Sequence, residues 1–285
     1  MTYRLQTGAP IKHYIPSVLL NKTVTVAVIG AGGNGCNMST GLAALDHALR
    51  ALGHPGGLRV TIIDDDVVSA ANVGRQPTYF ESDIGLPKAV VLANRINQAY
   101  PDACFEARVE RVIGDNGLLA DTDIVIGCVD TVSSRRAIHD AIRRAGSVHY
   151  WLDLGNRLAD GQVVLGEPRG YQADWYGRLP TIMDLNPQFL DPTYPEDDDT
   201  PSCSIEDALQ KQSLFINRTV TTFALSLLEE LFRTGMLPEH GVFVSKRQAS
   251  PLRIDKSTWA RLGYKSRARV LRRDLRGRSD LRGAG

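Results

Sequence analysis

Six residues, Val24-Thr25-Val26-Ala27-Val28-Ile29, run directly into Gly30-Ala31-Gly32-Gly33-Asn34-Gly35 and then into a helix-compatible stretch from Cys36 to Leu52. A continuous β-branched run of this kind reads as a parallel strand buried on both faces, which requires helices packed on either side of a sheet. The glycines permit a tight turn and let a phosphate approach backbone N–H groups closely. The helix that follows presents its partial positive charge to the same place, so an anion is favoured before any side chain contributes. The spacing also satisfies the Gly-x-Gly-x-x-Gly dinucleotide fingerprint, and the turn by itself does not separate ATP from NAD or FAD.

The residues after the turn narrow the choice. A second strand, Leu58 to Ile63, ends at Asp64-Asp65-Asp66, where a carboxylate can accept hydrogen bonds from ribose hydroxyls. A dehydrogenase would share that feature. It has no need of the next stretch, in which Asn72, Arg75 and Gln76 are followed by Gly85-Leu86-Pro87-Lys88 at the start of a helix-like segment to about Gln98. An arginine fork and a lysine charge near the Gly-rich turn would neutralise a polyphosphate and stabilise charge developing at phosphorus. A further apolar strand, Asp123 to Val129, delivers Asp130 to the same edge, where a carboxylate suits Mg²⁺ beside phosphate oxygens. Together these residues read as a site for ATP and Mg²⁺.

The joint order Gly-x-Gly-Gly-x-Gly, Asp-x-Asp-x-Val-x-x-x-Asn-x-x-Arg-Gln, Gly-x-Pro-Lys and Cys-x-Asp resembles the ThiF/MoeB/HesA adenylyltransferases, relatives of ubiquitin-activating enzymes, over roughly the first two thirds of the chain. The resemblance implies that Gly30, Gly32, Gly33 and Gly35 cradle the nucleotide and that Asp64, with Asp66 beside it, holds the ribose. It further implies that Asn72, Arg75 and Lys88 handle the phosphates and that Asp130 supports Mg²⁺; Gln76, beside Arg75, is counted with the cofactor-binding residues. The activity implied is ATP-dependent adenylation of the C-terminal carboxylate of a small ubiquitin-like or sulfur-carrier protein by a homodimer. The stretch from Pro201 to Leu209, leading into Phe215-Ile216-Asn217-Arg218, is similar to the ThiF-related protein of PRTRC plasmid cassettes. Two departures stand out. Many relatives carry two Cys-x-x-Cys pairs for zinc, whereas Cys36, Cys104, Cys128 and Cys203 are scattered here, so no zinc is expected. Dimeric relatives supply an arginine from the neighbour's N-terminal arm, and Arg4 and Lys12 are weak substitutes for it.

The expected fold class is α/β: a Rossmann-like mixed sheet, parallel in its N-terminal part, with antiparallel later strands and helices on both faces. Val148 to Asp153 reads as a strand, and Gly161 to Gly166 should pair with it antiparallel. An irregular arm reaches about Asn21, and a long Pro- and Asp-rich loop, of the kind that carries function, spans Glu167 to Pro201. A helix follows from Ile205 to about Phe232, with Leu214, Phe215, Val220, Phe223, Leu227, Leu228 and Leu231 as its apolar stripe. The adenylation domain is placed at 1–245, with a crossover loop at about 167–203. The extension 246–285 holds thirteen Lys and Arg against three Asp. Such a tail can contact nucleic acid, but no reading motif accompanies it, and a solvated surface or an acidic partner is the favoured use.

A net charge of +1 gives no global attraction to nucleic acid or membrane. The first residues lack a signal-peptide core and no apolar run approaches bilayer length, so a cytoplasmic enzyme is expected. Bland alternatives remain beside each site residue. Asp64 to Asp66 could be a solvated strand end, Asn72 and Arg75 could brace a turn, Lys88 could simply begin a helix, and Asp130 could cap the helix starting near Ser133. Cys203 sits where a mobile nucleophile could meet an activated carboxylate, with a helix dipole favouring its thiolate and the acidic run Glu196 to Asp199 opposing it; it could equally be a packed small residue. A nucleotide-binding assembly protein without chemistry and an NAD- or FAD-dependent oxidoreductase are the competing function classes.

Overall fold

The computed structural model describes residues 11–114, 117–156, 159–168, 178–196, 213–245 and 248–264. Its core is an eight-stranded mixed sheet. Strands β2 (Val24–Ile29), β3 (Leu58–Ile63), β4 (Cys104–Arg108), β5 (Ile124–Gly127) and β6 (Tyr150–Asn156) are parallel to one another. Beyond β6 the sheet turns antiparallel through β7 (Asp160–Gly166), β9 (Glu239–Ser245) and β10 (Gln248–Arg253). The spatial order is β10-β9-β7-β6-β5-β2-β3-β4. A separate two-residue pairing joins β1 (His13–Tyr14) to β8 (Met236–Leu237). The arm before Asn21 is therefore not wholly irregular: it contains β1 and a 3-10 turn at Ser17–Leu20, because Ile15 N–H and the β1 backbone find partners after the last long helix.

Alternation along β2 explains the two faces. Val24, Val26 and Val28 join one apolar cluster with Leu42 and Leu45 of α1 (Gly33–Ala51), Val91 and Leu92 of α2 (Lys88–Ala99), and Ala224 and Leu228 of α5 (Ile216–Thr234). Ala27 and Ile29 point the other way, to Ile138 and Ile142 of α3 (Val132–Ala145), Ile182 and Met183 of the short α4 (Ile182–Leu185), and Trp259 of α6 (Lys256–Arg261). Both faces of the parallel strands are thus covered, as a continuous apolar run demands.

The stripe of α5 is narrower than its periodicity suggested. Val220, Leu228 and Leu231 are buried with Ile216 and Phe232, whereas Leu214, Phe215 and Phe223 are exposed. The helix starts only at Ile216, so Leu214 and Phe215 precede it. The expected helical stretch 205–212 lies outside the described residues.

One buried polar contact fixes the antiparallel end of the sheet. His240, in β9, hydrogen-bonds the Leu165 carbonyl at 2.7 Å through Nδ1 and accepts the Trp259 indole N–H on Nε2 at 2.8 Å. An indole can only donate, so Nε2 carries no proton and the tautomer is set. Burial pushes the imidazole pKa down to about 4, with the Leu165 carbonyl acting the other way. The unfolded chain takes up this proton near pH 6.5 and the folded chain only near 4. Stability should therefore be complete above about pH 6.5 and fall as pH drops towards 4, by at most about 3 kcal/mol from this group. Urea unfolding between pH 6.5 and 4.5 should show a shallower pH slope for His240→Gln than for the wild type; equal slopes would remove His240 from the account.

Candidate functional site

The strand order reverses between β2 and β5, and in open α/β sheets that switch point, at the carboxyl ends of the strands, is where ligands bind. The Gly-rich turn occupies it. Gly30 has φ of +97°, and a Cβ there would lie 2.6 Å from the Cys128 carbonyl oxygen. At Gly35 a Cβ would come within 1.9 Å of the Gly30 oxygen, so the first turn of α1 can rest on the end of β2 only because both positions lack side chains. Gly33 backs onto Asn217 of α5, whereas a Cβ on Gly32 would meet nothing within 4 Å. The turn is packed on its protein side and open at Gly32. This is the arrangement an anion at a helix N-terminus needs.

Asp64, at the end of β3, binds the turn to the sheet. Its carboxylate accepts the Ala31 N–H and, at 2.8 Å, the Asp66 N–H. Burial pushes its pKa above the usual carboxylate range, against the opposing pull of those N–H groups and of Lys88. Lys88 opens α2 with its side chain nearly buried and its ammonium 2.8 Å from Asp66. Its position as the first helical residue does not make it a bland surface lysine, because the shaft is enclosed and the charge is directed to the strand end. Tyr79, which sequence reasoning missed, sits between the two: its hydroxyl lies 2.8 Å from the Ala31 carbonyl and 3.3 Å from that of Lys88. The available signal was a hydroxylated aromatic three residues after Gln76.

Asn72 closes a 3-10 turn, its Oδ1 accepting from the Ser69 N–H at 2.9 Å and hydroxyl at 3.1 Å, so one edge of its amide is committed to structure. Arg75 is half-buried. Burial lowers its pKa and the charge of Asp130 opposes that fall, which places these two expected site residues within electrostatic reach of one another. Among the described residues, the Arg75 Nε and the Gln76 Oε1 are buried without a hydrogen-bond partner. Buried polar atoms normally find partners, so an orphaned donor and acceptor side by side in sequence are what a polar ligand would satisfy.

Asp130 itself is exposed, two residues before α3. It does not cap that helix. Thr131 does, with its Oγ1 accepting the Ser134 N–H at 3.1 Å, because the helix begins at Val132 and the cap falls on the residue immediately before it. The Asp130 main chain is held by Arg135, whose Nη1 donates to the Asp130 carbonyl at 3.1 Å. Arg135 in turn is paired through Nε with Asp153 of β6 at 3.1 and 3.2 Å, and both side chains are buried. Burial pushes the Asp153 carboxyl up and the Arg135 charge pulls it back. Neither residue was singled out from the sequence, where they lie on different elements without a shared spacing.

Glu196, from the Pro- and Asp-rich loop, places its carboxylate on the N–H groups of Val132 at 2.8 Å and Ser133 at 2.9 Å, and pairs with Arg136 at 3.1 Å. A cleft of about 220 Å³ opens beside the turn, lined by Gly30, Asp64, Asp66, Val112, Val129 and Thr131 among others. Cys36 and Cys128 are buried, and burial pushes both thiols up, that of Cys36 to about 11, as suits packing residues. Cys203, Arg4 and the tail beyond 264 lie outside the described residues. Among the described residues no cluster of three His, Cys, Asp or Glu has the arrangement of a metal site, and no helix is long and apolar enough to cross a membrane.

The sequence matches the ThiF family across residues 19–240, a span that begins before β2 and ends in β9 and so contains every element of this site. The chain belongs to the ThiF family. Its curated relatives include the SAMP-activating enzyme E1 of Haloferax volcanii, 32% identical over 123 residues, which are 42% of each chain. The sulfur carrier protein adenylyltransferase of Thermus thermophilus is 32% identical over 122 residues, 42% of this chain and 41% of that protein. The sulfur carrier protein ThiS adenylyltransferase of Escherichia coli is 30% identical over 118 residues, 41% of this chain and 43% of the relative. The matched stretch thus spans about two fifths of each relative. Among solved structures, that described as the crystal structure of SeMet PaaA superposes with a TM-score of 0.54 at 16% identity, over 81% of this chain and 64% of the other. That likeness supports the ThiF fold, a Rossmann-like mixed sheet with helices on both faces.

Proposed function

We propose that this chain uses ATP and Mg²⁺ to adenylate the C-terminal carboxylate of a small ubiquitin-like or sulfur-carrier protein. The observation that carries the reading is the grouping of Arg75, Gln76, Lys88 and Asp130 around a Gly-rich turn that is open at Gly32, with Arg75 Nε and Gln76 Oε1 buried and unsatisfied. The printed names of the relatives agree, one being a SAMP-activating enzyme and two being adenylyltransferases of a sulfur carrier protein.

In this reading Gly30, Gly32, Gly33 and Gly35 receive the phosphates of ATP at the N-terminus of α1, Asp64 and Asp66 face the ribose, and Asn72 and Gln76 complete the polar wall. Asp130 would hold Mg²⁺, which supplies charge neutralisation on the phosphate oxygens. An oxygen of the carrier's terminal carboxylate attacks the α-phosphorus, the bond to the β-phosphate oxygen breaks, and pyrophosphate leaves. Arg75 and Lys88 stabilise the negative charge gathered in that step, and Asp66 directs the Lys88 ammonium. ATP–pyrophosphate exchange driven by candidate carriers ending in glycine tests the reading. ATP binding without exchange would favour an assembly protein that has kept the site and lost the chemistry.

The finer proposals extend this scheme: a symmetric homodimer, a cytoplasmic location, a place in a PRTRC-like cassette, and a basic segment 246–285 that forms a solvated surface or meets an acidic partner. Cys203 is proposed to take the carrier as a thioester after adenylation, its sulfur displacing AMP from the activated carboxyl. Cys203→Ala should then keep pyrophosphate exchange and lose any reductant-sensitive conjugate with the carrier. A conjugate that persists in the variant would move the nucleophile elsewhere.

A further inference from the structure

The Gly-rich turn is gripped at one residue. Ala31, fully buried, gives its N–H to the Asp64 carboxylate, and its carbonyl accepts the Tyr79 hydroxyl at 2.8 Å. The Cys36 thiol lies 3.4 Å from the same oxygen as a weaker second donor. Tyr79 is itself buried, and its hydroxyl faces the main-chain carbonyls of Ala31 and Lys88, to which it can only donate. Burial pushes the phenol pKa up, which keeps that proton in place. The nearer carbonyl, that of Ala31, takes it.

What this grip does follows from the peptide unit. The Ala31 carbonyl and the Gly32 N–H belong to one planar trans peptide, in which C=O and N–H point in opposite directions. A carbonyl held inward on Tyr79 therefore turns the Gly32 N–H outward. Outward is where the turn is open: Gly32 is partly exposed, and a Cβ on it would meet nothing within 4 Å. Gly32 also caps α1, where the first N–H groups lack intrahelical acceptors and a partial positive charge gathers. Tyr79 is fixed in turn by its own segment. Its N–H donates to the Gln76 carbonyl at 3.1 Å, and Arg95 holds both the Thr78 carbonyl and, at 2.8 Å, Asp83. The segment that carries Arg75 and Gln76 thus meets the Gly-rich turn through one hydroxyl.

We propose that Tyr79 is a positioning residue for the nucleotide phosphates: its hydroxyl holds the Ala31 carbonyl inward and so aims the Gly32 N–H at a phosphate oxygen of ATP. This rests on the nucleotide part of the reading above and adds to it a residue that touches neither substrate nor metal. The role requires the hydroxyl and not the ring. A phenylalanine would fill the same space and release the turn's peptide from this side.

Calorimetric binding of ATP with Mg²⁺, and of adenosine, which shares base and ribose but carries no phosphate, tests the assignment on the full chain. Tyr79→Phe should weaken ATP about 10-fold, the scale of one hydrogen bond to a charged group, and leave adenosine within about twofold. Equal weakening of both ligands would mean a general loosening of the site and overturns the proposal; so does unchanged ATP affinity. Gly32→Ala, at an extended backbone angle that alanine adopts and with room in the protein for its methyl group, should keep the wild-type unfolding temperature and also weaken ATP selectively. The two changes should not add: with Gly32→Ala in place, removing the Tyr79 hydroxyl should cost ATP less than about twofold. Additive losses would route the effect through Lys88, whose carbonyl is 3.3 Å from the same hydroxyl, and overturn the Gly32 assignment. If Tyr79→Phe fails to fold, as judged by circular dichroism, Gly32→Ala decides: a selective loss of ATP supports the assignment, and undiminished ATP affinity overturns it. The expected losses of ATP binding without pyrophosphate exchange for any glycine-ended carrier would refute adenylation and leave Tyr79 in its role. A wild type that binds no ATP refutes both.

Discussion

Asp130→Ala is expected to slow ATP–pyrophosphate exchange by about 100-fold or more, the usual scale for removing one group that stabilises charge in the reacting complex. The same change should barely alter stability. The Asp130 side chain is exposed, and its main chain is positioned through the carbonyl that Arg135 holds, a contact that alanine preserves. Lys88→Ala should lose exchange to a similar degree, with some cost in stability because its shaft is enclosed and its charge balances Asp66. Exchange rates with saturating carrier and ATP, read beside thermal unfolding, separate the two effects. Wild-type exchange in both variants would refute the assigned mechanism.

The second large effect is structural. Asp153→Ala should destabilise the fold by about 3–5 kcal/mol, because the Arg135 guanidinium would remain buried without its counter-charge. Replacing both partners by apolar residues of similar size, Arg135→Met with Asp153→Leu, should recover much of that loss, since the desolvation cost disappears with the charges. Exchange should nevertheless stay low in the double variant, because the Asp130 carbonyl has lost the donor that positions it. Urea unfolding of the single and double variants checks the first expectation; a loss below about 1 kcal/mol for Asp153→Ala would show that the remaining Arg135 contacts carry the site.

Local pattern made the parallel half of this molecule legible. The switch from a β-branched run to glycines to helical periodicity is confined to one stretch of chain; β2 falls where that pattern places it, and α1 begins three residues earlier than expected, at Gly33 inside the glycines. The antiparallel pairing of β6 and β7 was legible for the same reason, since only three residues separate the two strands in sequence. Of the expected site, Asp64 and Lys88 meet around Asp66 at the end of β3, and Arg75 stands within electrostatic reach of Asp130; Asp64 and Asp130 follow strands and Lys88 opens a helix, elements whose direction the crossover rule fixes, whereas Arg75 lies in a turn. What the sequence hid depends on partners distant along the chain. Arg135 reads as one more helical arginine until Asp153 faces it across the β5–β6 layer. Asn34 reads as a turn residue until Asn156 arrives from β6. The α5 stripe was drawn too wide for a related reason: apolar spacing marks which residues could share a face, but the helix start and the sheet beneath decide which of them are covered.

The pairing of β1 with β8 also bears on how the chain is made. His13 meets Leu237 more than two hundred residues later, and β7, near the middle, has its outer edge covered only when β9 arrives. Contacts of such sequence separation form slowly, since loop closure precedes any gain from burial. During synthesis the parallel strands can assemble first, while β7 presents an open row of N–H and C=O groups until residues 239–245 have emerged. A chain ending before Leu237 would leave that edge and the N-terminal arm both without their partners, and aggregation rather than a smaller folded domain is the expected fate of such a fragment.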